Sequence, residues 1–284
     1  MIDCLAGMRA TPARDAAIYH LQTGGHRMRA KLALASSAGR MDVGDGRAAA
    51  AACELLHNAS LIHDDISDHD QYRRGQHSVR ALYGDDVALC AGDLLLTAAF
   101  QTAAGIHEPG VAQRLTGFMA DTAARVIGGQ SVELDARSNR RGMGVADYLA
   151  ATREKTAPLI ELALNVGISN ATEAPYPAAL GRQLAEAIGL AYQILDDLDD
   201  LEAVEDLEHL HPLHAWWQHQ PRPLVRQGHH RKTRQRCLTH VQAALARAQR
   251  LAGRLPEPLA TDVLQLIHRL SRQSRIVSDR ALTR

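Results

Sequence analysis

Two stretches decide the fold and the chemistry of this chain: HNASLIHDDISD at residues 57–68 and YQILDDLDD at residues 192–200. Each places a cluster of aspartates at the end of an apolar run with helical spacing. Like charges four residues apart destabilise a helix by about 0.2–0.5 kcal/mol per pair, so we expect a bound cation to compensate them. Carboxylate oxygens without a Cys or His framework suit Mg²⁺, which prefers substrate phosphates for the rest of its shell. The two stretches therefore predict a magnesium-diphosphate site.

The helical spacing places further polar groups beside these carboxylates. At 100° per residue, His57, Asp64 and Asp68 fall within about 20° of one line on a helix, and Asp65 lies about 80° to one side. In the second stretch an arc of roughly 100° carries four polar residues: Gln193, Asp196, Asp197 and Asp200. A solvated helix end is the alternative for one cluster alone, whereas two such faces favour a clamp for several metal ions.

Length and composition exclude several classes of protein. The 284 residues can bury a sizeable core, and 32 basic against 32 acidic residues predict no attraction to nucleic acid. The four cysteines form no CxxC pair, which predicts reduced thiols and no zinc site. The sequence shows no signal peptide and no run of about 18 apolar residues, so we expect a cytoplasmic protein without stable membrane insertion.

Helical periodicity dominates the chain, and no stretch shows sustained strand alternation. The run before the first cluster repeats apolar residues at i, i+4, i+7 and i+11 from Leu55, after a start predicted at Asp45 and Gly46. We expect a single all-α domain over residues 1–284. The predicted helices lie near 26–39, 47–68, 86–104, 111–135, 145–169, 178–201, 233–253 and 258–281. The predicted loops lie at 40–46, 70–80, 105–110, 138–144, 170–177 and 205–230.

The polar motifs occur in a recognisable order: Gly24-Gly25-His26-Arg27-Met28-Arg29, the first aspartate cluster, Arg73-Arg74-Gly75, Gly129-Gln130, Lys155-Thr156 and the second cluster. In this order they resemble the trans-isoprenyl diphosphate synthases, the polyprenyl synthetase family, over roughly residues 20–205. The resemblance implies an isoprenoid synthase-type helical bundle around a central cavity, with helices near 47–68 and 178–201 facing each other. It also implies an Mg²⁺-dependent enzyme that joins isopentenyl diphosphate head-to-tail to an allylic diphosphate.

The resemblance further implies a role for each matching residue. Mg²⁺ ions bridging the allylic diphosphate would be held by the six aspartates of the two clusters: Asp64, Asp65, Asp68, Asp196, Asp197 and Asp200. The same diphosphate would be contacted by four other polar residues: Arg73, Lys155, Thr156 and Gln193. The diphosphate of isopentenyl diphosphate would be contacted by Arg29, Arg74 and His57, with His26 where the family keeps a lysine.

Three departures from the family pattern leave other functions open. His26 replaces the lysine, residues 205–212 lack the lysines usual after the second cluster, and the helix before Gly24 is shortened. The lost lysines favour the alternative of a weakly active or non-catalytic partner subunit, whereas the two complete aspartate sets, which repel each other without a bound cation, oppose it. The histidine-rich segment 205–230 is predicted to be a solvated loop instead of a metal site.

A class I terpene cyclase is a further alternative, because such cyclases also use an aspartate-rich motif and Mg²⁺. Cyclases line their pockets with aromatic rings that stabilise migrating cations. This chain has two Trp, six Tyr and two Phe residues in all. That scarcity argues against cyclisation.

The residues just before the first cluster predict the product length. By resemblance to the family, a bulky residue at position 59 ends chain growth early, whereas Ala59 and Ser60 are both small. They favour geranylgeranyl diphosphate over farnesyl diphosphate, with longer products open and with close helix packing as the alternative use of small residues. The family resemblance also predicts a homodimer, for which helices 86–104 or 111–135 are available.

Overall fold

The computed structural model describes residues 1–138, 145–170, 176–203 and 226–280. The chain divides into two compact units, the first made of Met1–Ala123 and Leu162–Pro175 and the second of Ala124–Glu161 and Tyr176–Arg284. The predicted all-α class is confirmed. The expected single domain with a central cavity stays a prediction.

The first unit is built mainly from helices and contains one short hairpin. Its elements are α1 (Asp3–Ala6), α2 (Pro12–Gln22), α3 (Met28–Ser37), α4 (Val43–Ser67), β1 (Tyr72–Arg73), β2 (Gln76–His77), α5 (Val79–Tyr83), α6 (Asp85–Ala104) and the first part of α7 (Pro109–Ser138). The end of α9 (Ala157–Asn165) and the 3₁₀ turn Val166–Asn170 complete this unit. The strands pair antiparallel, with Tyr72 opposite His77 and Arg73 opposite Gln76.

Helix α4 carries the first aspartate cluster and begins two residues earlier than predicted. The Asp42 carboxylate caps it by accepting a hydrogen bond from the Gly44 N–H at 2.7 Å. Asp45, the predicted start, lies inside the first turn and is 5% exposed. Its Oδ1 accepts hydrogen bonds from the backbone N–H and the Nδ1 of His107 at 3.0 and 2.9 Å. These bonds lower the pKa of Asp45 and join the start of α4 to the loop after α6.

The helix expected before Gly24 is α2 (Pro12–Gln22), whereas some shorter elements escaped the sequence prediction. Helix α2 begins at Pro12, after Thr11 whose hydroxyl accepts a hydrogen bond from the Arg14 N–H. The hairpin Tyr72–His77 and helix α5 both fall in the predicted loop 70–80. Such elements span too few residues to show a hydrophobic period, so capping residues are the better signal for them.

The second unit contains the rest of α7 and of α9, together with four further helices: α8 (Val145–Lys155), α10 (Ala178–Ala203), α11 (Arg226–Ala252) and α12 (Leu259–Arg280). The prediction of one helix over 145–169 is wrong, since a turn at Thr156 separates α8 from α9. Pro158 is the reason, because its ring excludes the carbonyl of Glu154 from a continuous helix and its nitrogen donates no hydrogen bond. Helix α11 begins at Arg226, seven residues before the predicted start near 233.

Helix α6 packs against α4 through small side chains such as Ala88, Ala91 and Ala99, all of which are buried. Gly92 lies under the His63 imidazole, where a Cβ atom would collide with the ring. By length and composition alone, α6 is also long and apolar enough to cross a membrane. A core helix satisfies the same criterion, and the packing on α4 explains the composition of α6 in that way.

Candidate active site: two aspartate clusters

The first cluster lies on the last turn of α4. Asp64 and Asp68 are partly exposed, whereas Asp65 is buried with a relative exposure of 0%. The helix ends at Asp68, whose N–H donates to the Asp64 carbonyl at 2.8 Å. Asp64 and Asp68 thus lie toward the outside of α4, and Asp65 is turned into the protein.

Arg73 holds Asp65 in that inward position. Its Nε donates to Asp65 Oδ1 at 2.7 Å, and its Nη2 donates to Asp70 Oδ2 at 2.9 Å. Asp65 Oδ2 is buried and has no hydrogen-bond partner. Burial raises the pKa of Asp65 to about 6, against the opposing effect of the Arg73 charge. The site thus keeps one buried carboxylate oxygen available beside a fixed guanidinium.

Arg74 points to a different set of partners although it follows Arg73 directly. Arg74 and Gly75 have φ angles of 57° and 77°, which turn the chain tightly between β1 and β2. Arg74 Nη1 donates to the Gly24 carbonyl at 2.5 Å, and its Nη2 donates to Asn58 Oδ1 at 3.4 Å. A Cβ atom on Gly25 would lie 2.7 Å from Arg74 Cζ, so only glycine leaves room for the guanidinium. The glycine pair of the Gly24–Arg29 motif is a cradle for Arg74.

Buried neutral groups support Arg74 from the other side. Asn58 Nδ2 donates to the Glu54 carbonyl at 2.7 Å, which orients Oδ1 toward His20 Nε2 at 3.1 Å and toward Arg74. His20 therefore acts as the donor. Burial, followed by the nearby Arg74 charge, lowers the pKa of His20 from 6.5 to about 3. His20 and Asn58 were missed from the sequence, since neither belongs to a charged motif.

The other residues predicted for the second diphosphate also lie in this unit. Arg29 is 7% exposed, and His57 Nδ1 is buried without a hydrogen-bond partner. Burial and the charge of Arg29 lower the pKa of His57 well below its usual range. His26 is exposed on the turn before α3. Arg29, His57 and Arg74 are thus held in one unit, and the contact of His26 with a phosphate stays a prediction.

The second cluster lies near the end of α10 and, like the first, has one aspartate on the outside and the next one buried. Asp196 is exposed and Asp197 is 5% exposed. The Tyr148 hydroxyl of α8 donates to Asp197 Oδ2 at 2.5 Å, and Gln193 Nε2 donates to Oδ1 at 2.9 Å. Thr156 Oγ1 in turn donates to Gln193 Oε1 at 2.8 Å. The Asp200 side chain lies outside the described part of the structure.

Lys155 and Gln130 lie where α7 meets the end of α8. A Cβ atom on Gly129 would lie 3.0 Å from the Lys155 nitrogen, so glycine permits this close approach. Lys155 Nζ lies 3.3 Å from Glu133 Oε2. Both amide atoms of Gln130 are buried without a hydrogen-bond partner, which is uncommon for an ordinary core residue. The Gly129-Gln130 motif thus contributes a spacer and a polar group suited to a ligand.

Tyr148 is a further residue that the sequence did not reveal. It precedes Lys155 by seven residues, which places both on a similar face of a helix. That spacing is the one signal in the sequence that connects it to the site. Its hydroxyl hydrogen-bonds Asp197 and is deeply buried, and burial raises its pKa.

The carboxylates fit Mg²⁺ by their chemistry. They are hard oxygen donors, and Asp64, Asp68 and Asp196 keep at least part of their side chains exposed on their helices. Among the described residues, no group of three or more His, Cys, Asp or Glu side chains is already arranged around a metal position. The joint use of both clusters stays a prediction, because they belong to different units.

The residues predicted to set product length lie on α4. Ala59 is 2% exposed, and the Ser60 hydroxyl donates to the His57 carbonyl at 2.8 Å. Leu55 and Leu56, one turn earlier, are buried. This arrangement suits an apolar path beside α4 and equally suits helix packing, so the product length stays a prediction.

Comparison with known proteins identifies relatives. The sequence profile of the family described as polyprenyl synthetase matches residues 11–208. A short chain isoprenyl diphosphate synthase of Methanothermobacter thermautotrophicus is 36% identical over 180 residues, which cover 63% of this chain and 55% of that protein. A geranylfarnesyl diphosphate synthase of Aeropyrum pernix is 35% identical over 201 residues, covering 67% of this chain and 63% of that protein. The chain thus spans little more than half the length of these relatives.

Solved structures of two synthetases have the same fold as this chain. The geranylgeranyl pyrophosphate synthetase from Geoglobus acetivorans has a TM-score of 0.81 at 22% identity, with 94% of each chain covered. The geranylgeranyl pyrophosphate synthetase from Pyrococcus horikoshii has a TM-score of 0.79 at 21% identity, with 94% of this chain and 92% of that chain covered.

Proposed function

The chain belongs to the polyprenyl synthetase family, and from this membership we propose that it is a chain-elongating trans-prenyl diphosphate synthase. Its substrates are isopentenyl diphosphate and an allylic diphosphate such as dimethylallyl, geranyl or farnesyl diphosphate. The observation that carries the proposal is the divergence of Arg73 and Arg74. One guanidinium is fixed beside the first aspartate cluster, and the next is fixed in the glycine cradle with Arg29 and His57 in the same unit. Two anionic groups require two such positions.

The outer aspartates of each cluster bind metal in this proposal. Asp64 and Asp68 are partly exposed on α4, and Asp196 is exposed on α10. Asp65 and Asp197 were predicted as ligands too, but each already accepts hydrogen bonds from protein donors. We assign these inner aspartates to orienting the clusters. When bound, Mg²⁺ supplies the positive charge that neutralises the departing allylic diphosphate.

The chain's own residues bind and orient the reactants. Arg73 and Lys155 add positive charge beside the allylic diphosphate, and Arg29, Arg74 and His57 hold isopentenyl diphosphate with its double bond toward the allylic carbon. Buried apolar residues of α4 keep water from the allylic cation. The released diphosphate accepts the proton that leaves, so no side chain is required as a base.

The test is turnover by the isolated protein. Purified protein receives isopentenyl diphosphate and each allylic primer in turn, with Mg²⁺ or with EDTA, and mass spectrometry measures the products. The proposal expects an Mg²⁺-dependent series of prenyl diphosphates in which geranylgeranyl diphosphate dominates. A folded protein that elongates none of the primers would contradict the proposal and favour the partner subunit. A cyclic hydrocarbon as product would favour the terpene cyclase.

Product length has its own test. Ala59→Phe fills the proposed path beside α4 and is expected to shorten the product by at least one isoprene unit. Leu61→Phe, at a partly exposed position of the same helix, is the control and should leave the products unchanged. An unaltered distribution in Ala59→Phe would place the growing chain elsewhere.

We also infer a homodimer. Leu89 on α6 and Ile127 on α7, the helices available for this contact, are 52% and 64% exposed and would become buried in it. Analytical sedimentation at micromolar concentration tests this inference, and a monomer would contradict it.

A further inference from the structure

The exposed positive charge of the second unit is concentrated on its last two helices. Seven exposed arginines lie on α11, on the turn that follows it and on α12: Arg236, Arg247, Arg250, Arg254, Arg269, Arg272 and Arg275. No hydrogen bond or ion pair joins any of them to another described residue. Between residues 234 and 278 the sequence has two carboxylates, Glu257 and Asp262, both near the connection between the helices. We call these seven residues the arginine face.

On α11 the arginines form a stripe. At 100° per residue, Arg236, Arg247 and Arg250 fall within about 60° of one another, and they extend over about 21 Å of the helix. Buried residues of α11, including Val241 and Leu245, lie on the opposite side. The stripe is therefore directed away from the core of the unit, and its charges do not converge on a pocket.

On α12 the arginines are mixed with exposed apolar side chains. Arg269, Arg272 and Arg275 follow one another at intervals of three residues on the side opposite the buried Leu266 and Leu270. Leu264 and Ile276 lie on the same exposed side and are 39% and 50% exposed. A helix surface that combines arginines with exposed apolar groups is typical of helices that lie in a membrane interface.

We propose that the arginine face docks the protein peripherally on membranes that contain anionic phospholipids. The guanidinium groups would pair with lipid phosphates, and Leu264 and Ile276 would enter the boundary between headgroups and acyl chains. Nucleic acid fits less well, because residues 234–280 contain no Phe, Tyr or Trp side chain for stacking on bases. The chain as a whole also has no net positive charge. The inference rests on these two helices and is independent of the proposed activity.

Vesicle binding tests the proposal. The full-length protein is sedimented with vesicles of phosphatidylcholine alone, or of phosphatidylcholine and phosphatidylglycerol at roughly 7:3, in about 0.1 M salt. We expect binding to the anionic vesicles and little to the neutral ones. Each arginine near an anionic surface contributes about fivefold in partitioning. The triple variant Arg247→Glu, Arg250→Glu and Arg272→Glu should therefore bind more than about a hundredfold less tightly.

The matched control reverses three exposed arginines elsewhere, at Arg9, Arg47 and Arg182. It changes the net charge by the same amount, so it should retain most of the vesicle binding if the arginine face is responsible. Equal loss in both triple variants, equal binding to neutral vesicles, or binding of an RNA duplex in place of anionic vesicles would overturn the proposal. The milder triple Arg→Gln variant at positions 247, 250 and 272 repeats the test if the charge reversal unfolds the protein by circular dichroism.

Turnover with soluble primers, measured without vesicles, separates this proposal from the proposed function. Neither triple variant touches the residues assigned to the aspartate clusters, so both should keep the rate of the unmodified chain. A protein that elongates no primer but binds anionic vesicles through the arginine face would contradict the proposed function alone.

Discussion

The two aspartate clusters share one arrangement and differ in how it is stabilised. In each, the first aspartate is on the outside of its helix and the second is turned inward: Asp65 on α4 and Asp197 on α10. Asp65 is held by the cation of Arg73, whereas the donors that reach Asp197 from Tyr148 and Gln193 carry no charge. Among the described contacts, the first cluster thus includes a buried ion pair and the second includes hydrogen bonds from uncharged donors to a carboxylate. Substitutions should therefore damage the two clusters to different extents.

Loss of an outer aspartate should have the largest effect on catalysis. Asp64→Asn and Asp196→Asn each remove a metal-binding charge, so turnover should fall by roughly a thousandfold or more. Thermal stability should stay unchanged or rise, because repulsion between neighbouring carboxylates decreases. Asp86→Asn, at an exposed position of α6, is the control. Unchanged turnover in either outer variant would contradict the assigned role.

Loss of Arg73 should have the largest effect on stability. Arg73→Met leaves the buried Asp65 carboxylate without its cation, which is expected to lower the free energy of unfolding by about 3 kcal/mol. Arg80→Met is the matched control, since Arg80 pairs with Asp85, whose side chain is 50% exposed. This substitution should lower the free energy of unfolding by less than about 1 kcal/mol. Urea unfolding measures both. Equal losses in the two variants would show that the buried Asp65–Arg73 ion pair contributes no more to stability than the exposed Arg80–Asp85 pair.

A pH dependence follows from His20, which supports Arg74 beside the first cluster. Its pKa is about 3 in the folded protein and 6.5 ordinarily, so the unfolded chain binds the proton more readily. The stability it contributes is fully present above pH 6.5 and is lost as the pH falls toward 3. When the pH falls from 7 to 5, the free energy of unfolding should decrease in both proteins, as measured by urea unfolding. The decrease should be about 2 kcal/mol smaller in His20→Gln than in the unmodified protein. The exposed His26→Gln is the control, and a pH response in His20→Gln equal to that of the unmodified protein would show that His20 is not held neutral.

The smallest effect on stability is expected at the second cluster. Tyr148→Phe removes one hydrogen bond from an uncharged donor to the Asp197 carboxylate and should cost about 1.5 kcal/mol, less than the loss of the cation at Arg73. Turnover should fall by about tenfold, with a higher Mg²⁺ concentration needed for half-maximal rate, because the cluster loses its orientation. Tyr83→Phe is the control, since the Tyr83 hydroxyl has no described hydrogen bond. A loss at Tyr148 as large as that at Arg73 would remove the distinction between the clusters.

The sequence predicted the parts of this site that depend on local spacing. The positions of Asp64, Asp68 and Asp196 on their helices follow from the helical period alone. The inward anchoring of Asp197 does not, because it depends on Tyr148, 49 residues earlier in the chain. The opposite directions of Arg73 and Arg74 likewise depend on a tight turn with positive φ at Arg74 and Gly75. Local pattern therefore located the clusters, and contacts between distant segments decided which carboxylate of each pair faces outward.

A crystal structure with Mg²⁺ and a non-hydrolysable allylic diphosphate analogue tests the division into outer and inner aspartates most directly. We expect the ions to contact Asp64, Asp68 and Asp196, while Asp65 stays paired with Arg73 and Asp197 stays hydrogen-bonded to Tyr148. Metal bound by Asp65 or Asp197, with either of those protein contacts broken, would contradict the account.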